Sequence, residues 1–516
     1  MKKFIIWCIL AQLLFSCDFL DFFGPYDGNN NYEGLGKDEF YAKNFSGTTI
    51  TNYKLKASLL AEGRYCNVWV ENSAGVGNAT AQGVADAYDD NIYKKMIDTF
   101  SIRDFSFLGY DFSDIMEFAD FLTDEDGKLT ILLLDIKDGY RKGVNEAYYA
   151  GYFWSGDIFP NDPNDKDLKY SNERDMIYID TYPGMSTDAM KKEAYSTLAH
   201  EMQHLMNLVT TFVERSTVTN GKITSVSPMN TWIDEGLASA AEWLYADNQK
   251  GDRIDWFNNN GEGTGSNKIS GLINKGNNFF VWNNRTSENK YANLDDYATV
   301  YLFFQWLRLQ TSTPAGTSIY KDIITSEYND YTAVLTAFNK NVSANKYANW
   351  GALLKDWMAA NYINASTGRY GYMNEPYLKD LKASTITSGT TTVDLYPGEG
   401  VYSKTSSAGS TYPQGTTIRY AGLNKTSTQV SDSNVFANGA LLTYNINTIV
   451  GGSAEKGTTT GVALSVDAAS SEGRSARPFT GPYRIDAGDL LRRGGNDAGV
   501  QSMDFSGLLK GLEVDE

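Results

Sequence analysis

The chain predicts an α+β protein, because its local patterning changes character twice along 516 residues. Between about residues 52 and 180, short extended apolar runs surround one helical pattern. From about 187 to 362 helical periodicity dominates. Beyond about 385 the texture turns to Thr, Ser and Gly with short alternating runs. These shifts predict a sheet lobe over residues 51–185, a helical lobe over 186–375 and a β-rich C-terminal domain over 385–516.

The N-terminus reads as an export signal. Lys2 and Lys3 precede residues 4–15, which are apolar except for Gln12. That run is too short to span a bilayer and suits the apolar part of a signal over residues 1–16. It ends in Leu14-Phe15-Ser16-Cys17, which resembles the bacterial lipobox, where a small residue precedes a cysteine that becomes lipidated. Cys17 is the lipidation site this resemblance implies. The expected location is extracytoplasmic, anchored through lipid and facing the periplasm or the cell surface, with secretion as the alternative. No later stretch approaches eighteen consecutive apolar residues, so lipid is the only membrane contact expected. Residues 17–50 read as a tether, rich in Gly, Asn, Asp and aromatics up to about Lys43 without periodicity.

In the sheet lobe, residues 55–62 and 65–71 look extended, with Gly63 breaking them, and residues 88–100 look helical. Residues 129–135 read as a buried strand after the Asp126-Gly127 turn, and 152–154 and 176–179 are further strand candidates. In the helical lobe one helix is expected from Thr187-Asp188, a cap residue followed by an acid at the positive end of the dipole, to about Leu208. Residues 297–310 and 348–362 are two more helices. Runs at 417–420 and 462–466 mark strands of the C-terminal domain.

Composition is globular, with 42% hydrophobic residues, and the formal charge is −18. An acidic surface repels nucleic acid and anionic lipid headgroups, so neither is an expected partner. Of the three cysteines, Cys8 leaves with the signal and Cys17 would be acylated. Cys66 then stands alone, which excludes an intramolecular disulfide and thiolate-ligated zinc.

Both histidines of the chain fall in one string, His200-Glu201-Met202-Gln203-His204. On a helix, imidazoles four residues apart share a face and can grip one metal ion, while the intervening glutamate lies where it can take a proton from water. A catalytic zinc site needs a third protein ligand. With no third histidine and no usable cysteine, that ligand must be a carboxylate.

The segment Trp232-Ile-Asp-Glu-Gly-Leu-Ala-Ser-Ala-Ala-Glu242 resembles the third-ligand helix of the gluzincin metallopeptidases, and the match makes Glu235 the third ligand. Together with Ala194-Tyr-Ser-Thr-Leu-Ala-His-Glu-Met-Gln-His-Leu-Met-Asn207 and the run from Tyr297 to Leu307, the pattern is similar to the hyicolysin family of bacterial gluzincins over about residues 129–309. That resemblance implies a thermolysin-like core of a mixed sheet lobe and a helical lobe, holding one Zn2+ and hydrolysing proteins or peptides. Glu235, Ser239 and Glu242 share one helical face, which makes Ser239 and Glu242 candidates to orient the imidazoles.

The chemistry implied is a zinc-activated water with Glu201 as general base. The developing oxyanion needs a second donor. No histidine remains for it, so it falls to Tyr, Arg, Lys or backbone. Tyr297 resembles the tyrosine opening the corresponding helix in zinc aminopeptidases, with Tyr301 and plain core as the other readings of that stripe. Residues 152–158 are a candidate edge strand for an extended substrate, and Ca2+ is conceivable at Asp162, Asn164 and Asp165 or at Asp124 and Asp126. Three functions remain open to the sequence. Zinc endopeptidase leads. Zinc aminopeptidase is second, although the amine-capturing Gly-x-Met-Glu-Asn segment of those enzymes finds only Gly371-Tyr-Met-Asn-Glu375, on the wrong side of the motif. A non-catalytic surface-binding lipoprotein with a decayed or structural metal site is third.

Overall fold

The computed structural model describes residues 35–46, 50–100, 106–107, 110–111, 128–144, 147–159, 161–165, 168–219, 222–259, 261, 273–276, 279–283, 285, 292–311, 316–386, 394–448, 457–458 and 483–485. The signal, Cys17, Asp124, Asp126, the turn at 126–127 and the run at 462–466 lie outside them. The described chain divides into two compact units, Met1–Met229 with Pro482–Glu516, and Asn230–Gly481. Among the described residues no helix is long and apolar enough to cross a membrane.

The first unit is built on a six-stranded mixed sheet. Its strands are β1 (Glu39–Asn44), β2 (Thr51–Glu62), β3 (Cys66–Glu71), β4 (Leu129–Leu134), β5 (Gly151–Phe153) and β6 (Met176–Asp180), in the order β1-β2-β3-β4-β6-β5. The central pairs β3–β4 and β4–β6 are parallel, with Val68 opposite Ile131 and Leu132 opposite Tyr178. Covered strands of this kind need apolar residues on both faces, and Leu-Thr-Ile-Leu-Leu-Leu of β4 is buried throughout. Helices α1 (Asn78–Ala87) and α2 (Tyr93–Phe100) are joined by a π-helical turn at Tyr88–Ile92. The expected helix at 88–100 is therefore only the second half of a longer helical segment. Its Ala-rich first half, Asn-Ala-Thr-Ala-Gln-Gly-Val-Ala-Asp-Ala, has few large apolar residues to mark a period.

The expected tether is shorter than 17–50, because β1 lies within it. Phe40 and Ala42 alternate into the core, a short period-2 signal hidden among polar neighbours. Polar groups then fasten the strand: the Lys43 amide donates to Tyr152 Oη (3.0 Å) and the Tyr41 amide to Asn172 Oδ1 (2.8 Å). Asn172 also donates to Asp157, as does Tyr178. Burial pushes the Asp157 carboxyl up to about 6 against those hydrogen bonds.

Helix α3 (Asp188–Glu214) runs some six residues past its expected end. Thr187 caps it, its side chain accepting from the Met190 amide at 3.2 Å. Gly151 lets α3 lie close on the edge strand β5: a Cβ there would stand 2.7 Å from the Tyr178 carbonyl and 2.9 Å from Thr197 Cγ2. Thr197 is one turn before His200, so this close approach seats the motif against the sheet edge. The expected strand over 152–158 stops at Phe153, and Ser155–Ile158 is a 3-10 turn.

The second unit holds α4 (Thr231–Ala246), α5 (Gly251–Asn258), α6 (Asn293–Leu309), α7 (Ser318–Ile324), α8 (Tyr331–Asn341) and α9 (Trp350–Ile363). Its sheet orders β7 (Gly400–Lys404), β8 (Ile418–Asn424), β9 (Gln429–Ser431) and β10 (Ala440–Asn445) as β7-β10-β8-β9. This β-rich region groups with the helices in one unit. Helix α9 packs on β8 and β10, Tyr402 Oη donates to the Met358 carbonyl (2.7 Å), and Arg285 meets Glu399 in a buried bidentate pair.

Candidate metal centre

Helix α3 presents His200 and His204 one turn apart, with ring centroids separated by 4.8 Å. Among the described residues, one group of His, Cys, Asp and Glu side chains can hold a metal ion: His200, His204 and Glu235, all buried, with their ligand atoms within 4.8 Å of one another. Two imidazole nitrogens and one carboxylate oxygen form the three-protein-ligand donor set of a catalytic zinc site, with one position left for water or substrate. The residues therefore fit the metal. Glu201, between the histidines, is fully buried as well.

Glu235 owes its setting to packing inside its own unit. Trp232, one turn earlier on α4, sits among Phe279, Phe280, Phe303, Phe304 and Trp350, with ring centroids 5.3–6.5 Å away. The residue after Glu235 is Gly236, where a Cβ would lie 2.1 Å from Phe304 Cε2. The Asp-Glu-Gly step thus joins a candidate ligand to a close helix contact: glycine admits the ring of α6, and the aromatic cluster packs the turn that carries Glu235.

The other expected residues take distinct places. Ser239 is buried, but its hydroxyl makes no hydrogen bond among the described residues. Glu242, also buried, lies 3.4 Å from Lys250 Nζ and 3.6 Å from Arg253 Nη2, both cations themselves buried. It is an ion-paired core acid rather than a solvated one. Tyr297 is buried on α6, with the Arg253 guanidinium 4.8 Å from its ring centroid and Trp282 edge-on at 5.1 Å and 90°. Tyr301 is bound structurally: its hydroxyl donates to Gln249 Oε1 (2.7 Å) and accepts from the Lys250 amide (2.9 Å). Burial holds that phenol well above its usual range, so it stays protonated. At the suggested calcium loop, Asp162 and Asp165 accept from the amides of Asn164 and Leu168 and so stiffen local turns.

Three buried residues carried no legible signal. Lys250 and Arg253 stand in no motif, and the fold buries them against Glu242. Gln203, inside the motif, is fully buried with neither amide atom hydrogen-bonded among the described residues.

The described residues thus hold one His-His-Glu group that could hold a metal ion, its two histidines on a helix that lies close on the edge strand of a mixed sheet. In sequence, the chain is similar to the neutral metalloprotease ShpI of Staphylococcus hyicus, with 28% identity over 341 residues. The match covers 66% of this chain and 66% of that protein, a little under two thirds of its length. The resemblance to hyicolysin-type metallopeptidases thus extends well beyond the short motifs. No protein-family model matches the chain.

Proposed function

We propose that the protein is a zinc-dependent metalloendopeptidase of the bacterial envelope, anchored through a lipid on Cys17. The observation that carries the reading is the buried convergence of His200, His204 and Glu235 around one point, with Glu201 beside them. Zinc, when bound there, supplies Lewis acidity that acidifies a water and polarises a peptide carbonyl.

The chain's own groups do the rest. Glu201 accepts a proton from the attacking water and delivers it to the leaving amine as the C–N bond breaks. Tyr297 donates a hydrogen bond to the carbonyl oxygen as negative charge gathers on it, the role for which no histidine is available. The fastening of Tyr301 to Gln249 and Lys250 favours Tyr297 over its neighbour. Strand β5 is an edge of its sheet among the described residues, where an extended substrate adds as a further strand, which suits cleavage within chains.

The test compares casein hydrolysis by the purified full chain and its Glu201→Gln variant at matched zinc content. Wild-type cleavage, and a loss of at least about 1,000-fold in the variant, is expected, since loss of a proton carrier removes a large part of the catalysis. If both proteins bind zinc and neither cuts, the endopeptidase reading fails.

A further inference from the structure

Arg253 is buried to 7% exposure, and a buried guanidinium is costly unless something answers its charge. Its partners are few and specific. Glu242 Oε1 lies 3.6 Å from Nη2, an ion pair longer than a good hydrogen bond, and Glu242 is shared with Lys250 at 3.4 Å. Glu242 thus lies beside two buried cations, and its contact with Arg253 is the longer of the two. Arg253 Nε makes no hydrogen bond among the described residues. What remains for the guanidinium is the face of Tyr297, 4.8 Å from its carbon, and the negative face of an aromatic ring is a fitting partner for a cation. Trp282 closes the ring from another side, edge-on. Tyr297 is thus gripped between a cation and an indole, and the cation is held from behind by an acid seven residues along α4 from Glu235.

We propose that Arg253 is a positioning residue for the reaction. Braced by Glu242, it fixes the ring of Tyr297 and sets a positive field beside the phenol, so that the hydroxyl is held ready to donate to the carbonyl oxygen as charge develops. An apolar side chain would fill the same space with less desolvation, so stability alone does not account for an arginine here. A fixed cation near developing negative charge strengthens in the transition state more than in the ground state, and so acts on kcat rather than on substrate binding.

The inference rests on Tyr297 as oxyanion donor, and a double-mutant cycle separates the two ideas. The full chain, Tyr297→Phe, Arg253→Met and the double variant are compared at equal zinc content for kcat and KM on quenched fluorescent casein. Tyr297→Phe is expected to lower kcat roughly 100-fold, as loss of one oxyanion donor does. Arg253→Met, which leaves Glu242 paired with Lys250, is expected to lower kcat roughly 10-fold with KM unchanged. Arg253→Lys keeps the charge but not the planar contact, and should recover most of that loss. The double variant should be no slower than Tyr297→Phe alone, because Arg253 acts through the ring. If the two losses multiply, or if Arg253→Met raises KM and leaves kcat intact, the positioning role is overturned while Tyr297 stands. If Tyr297→Phe is as fast as wild type, the donor assignment itself falls. Should Arg253→Met not fold, the same cycle run with Arg253→Gln decides: a loss of kcat in the wild-type background that vanishes beside Tyr297→Phe supports coupling, and any other pattern refutes it.

Discussion

Gly236→Ala tests whether Glu235 is aimed by the contact between α4 and α6. A Cβ at this position would stand 2.1, 2.4 and 2.6 Å from Phe304 Cε2, Cδ2 and Cζ. Ordinary carbon contacts begin near 3.4 Å, so the ring must retreat by about 1.3 Å (3.4 − 2.1). It has little room to do so. Phe304 is fully buried, faces Trp232 and Phe303, stacks near Tyr320, and its carbonyl accepts from Tyr320 Oη at 3.0 Å. Overpacking of this kind costs about 3 kcal/mol at the upper end of its usual range. Alanine in place of glycine within a helix returns about 1 kcal/mol. The net is a loss of about 2 kcal/mol, or about 4–8 °C in midpoint for a unit of this size. Scanning calorimetry of wild type, Gly236→Ala, Phe304→Leu and the double variant reads it directly. In the Phe304→Leu background the clash is relieved, and the alanine should be neutral or stabilising by up to about 1 kcal/mol. Equal stability of Gly236→Ala and wild type would refute the reasoning, as would the same loss in both backgrounds.

Other expectations follow from the same geometry. The Asp157 carboxyl, raised by burial to about 6, favours the folded state when protonated. Its contribution is fully present below the ordinary carboxyl value near 3.9 and is lost as pH rises through about 6, a change of about 2–3 kcal/mol. Asp157→Asn should flatten that part of the urea stability profile between pH 4 and 7, since Tyr178 Oη can accept from the new amide and donate instead to the Tyr41 carbonyl, 3.2 Å away. Parallel profiles would exclude it. Breaking the buried Arg285–Glu399 pair with Arg285→Met should cost about 3–5 kcal/mol, whereas replacing both partners by apolar residues should cost clearly less; equal losses by chemical denaturation would contradict this. Zinc added back to chelated protein at a hundred times its dissociation constant should raise stability by about 2.7 kcal/mol, a gain that His204→Ala should abolish; a gain that survives in the variant would place the ion elsewhere.

How far the sequence could be read depended on whether a signal was local. The i, i+4 histidines, the leucine-rich β4 and the capped start of α3 each announce themselves within a few residues, and the structure has them where the spacing puts them. Glu235 needed the resemblance, because it stands 31 residues after His204 and no local period links them. Strand β1 was missed because Phe40 and Ala42 are its only buried apolar residues, too few to outweigh the polar residues around them. The grouping of the C-terminal strands with the helices was equally hidden, since Arg285 and Glu399 are 114 residues apart.

Glu242 shows what kind of information this is. Helical spacing places it on the face that carries Glu235 and Ser239, and from that alone an acid orienting an imidazole is a reasonable expectation. The fold supplies two cations that no periodicity could bring to it, Lys250 at the head of the next helix and Arg253 in that helix's first turn. With them in place, the acid braces an arginine against the ring of Tyr297. A face on a helix says which side chains point the same way, and not what they meet. At a metal centre the ligands are few, close in chemistry and set by the ion's own demands, so motif and spacing go far. The groups that hold the reacting side chains in place are answerable only to local packing and charge balance. They are where the sequence is least explicit, and where substitutions at Arg253 and Glu242 will be most informative.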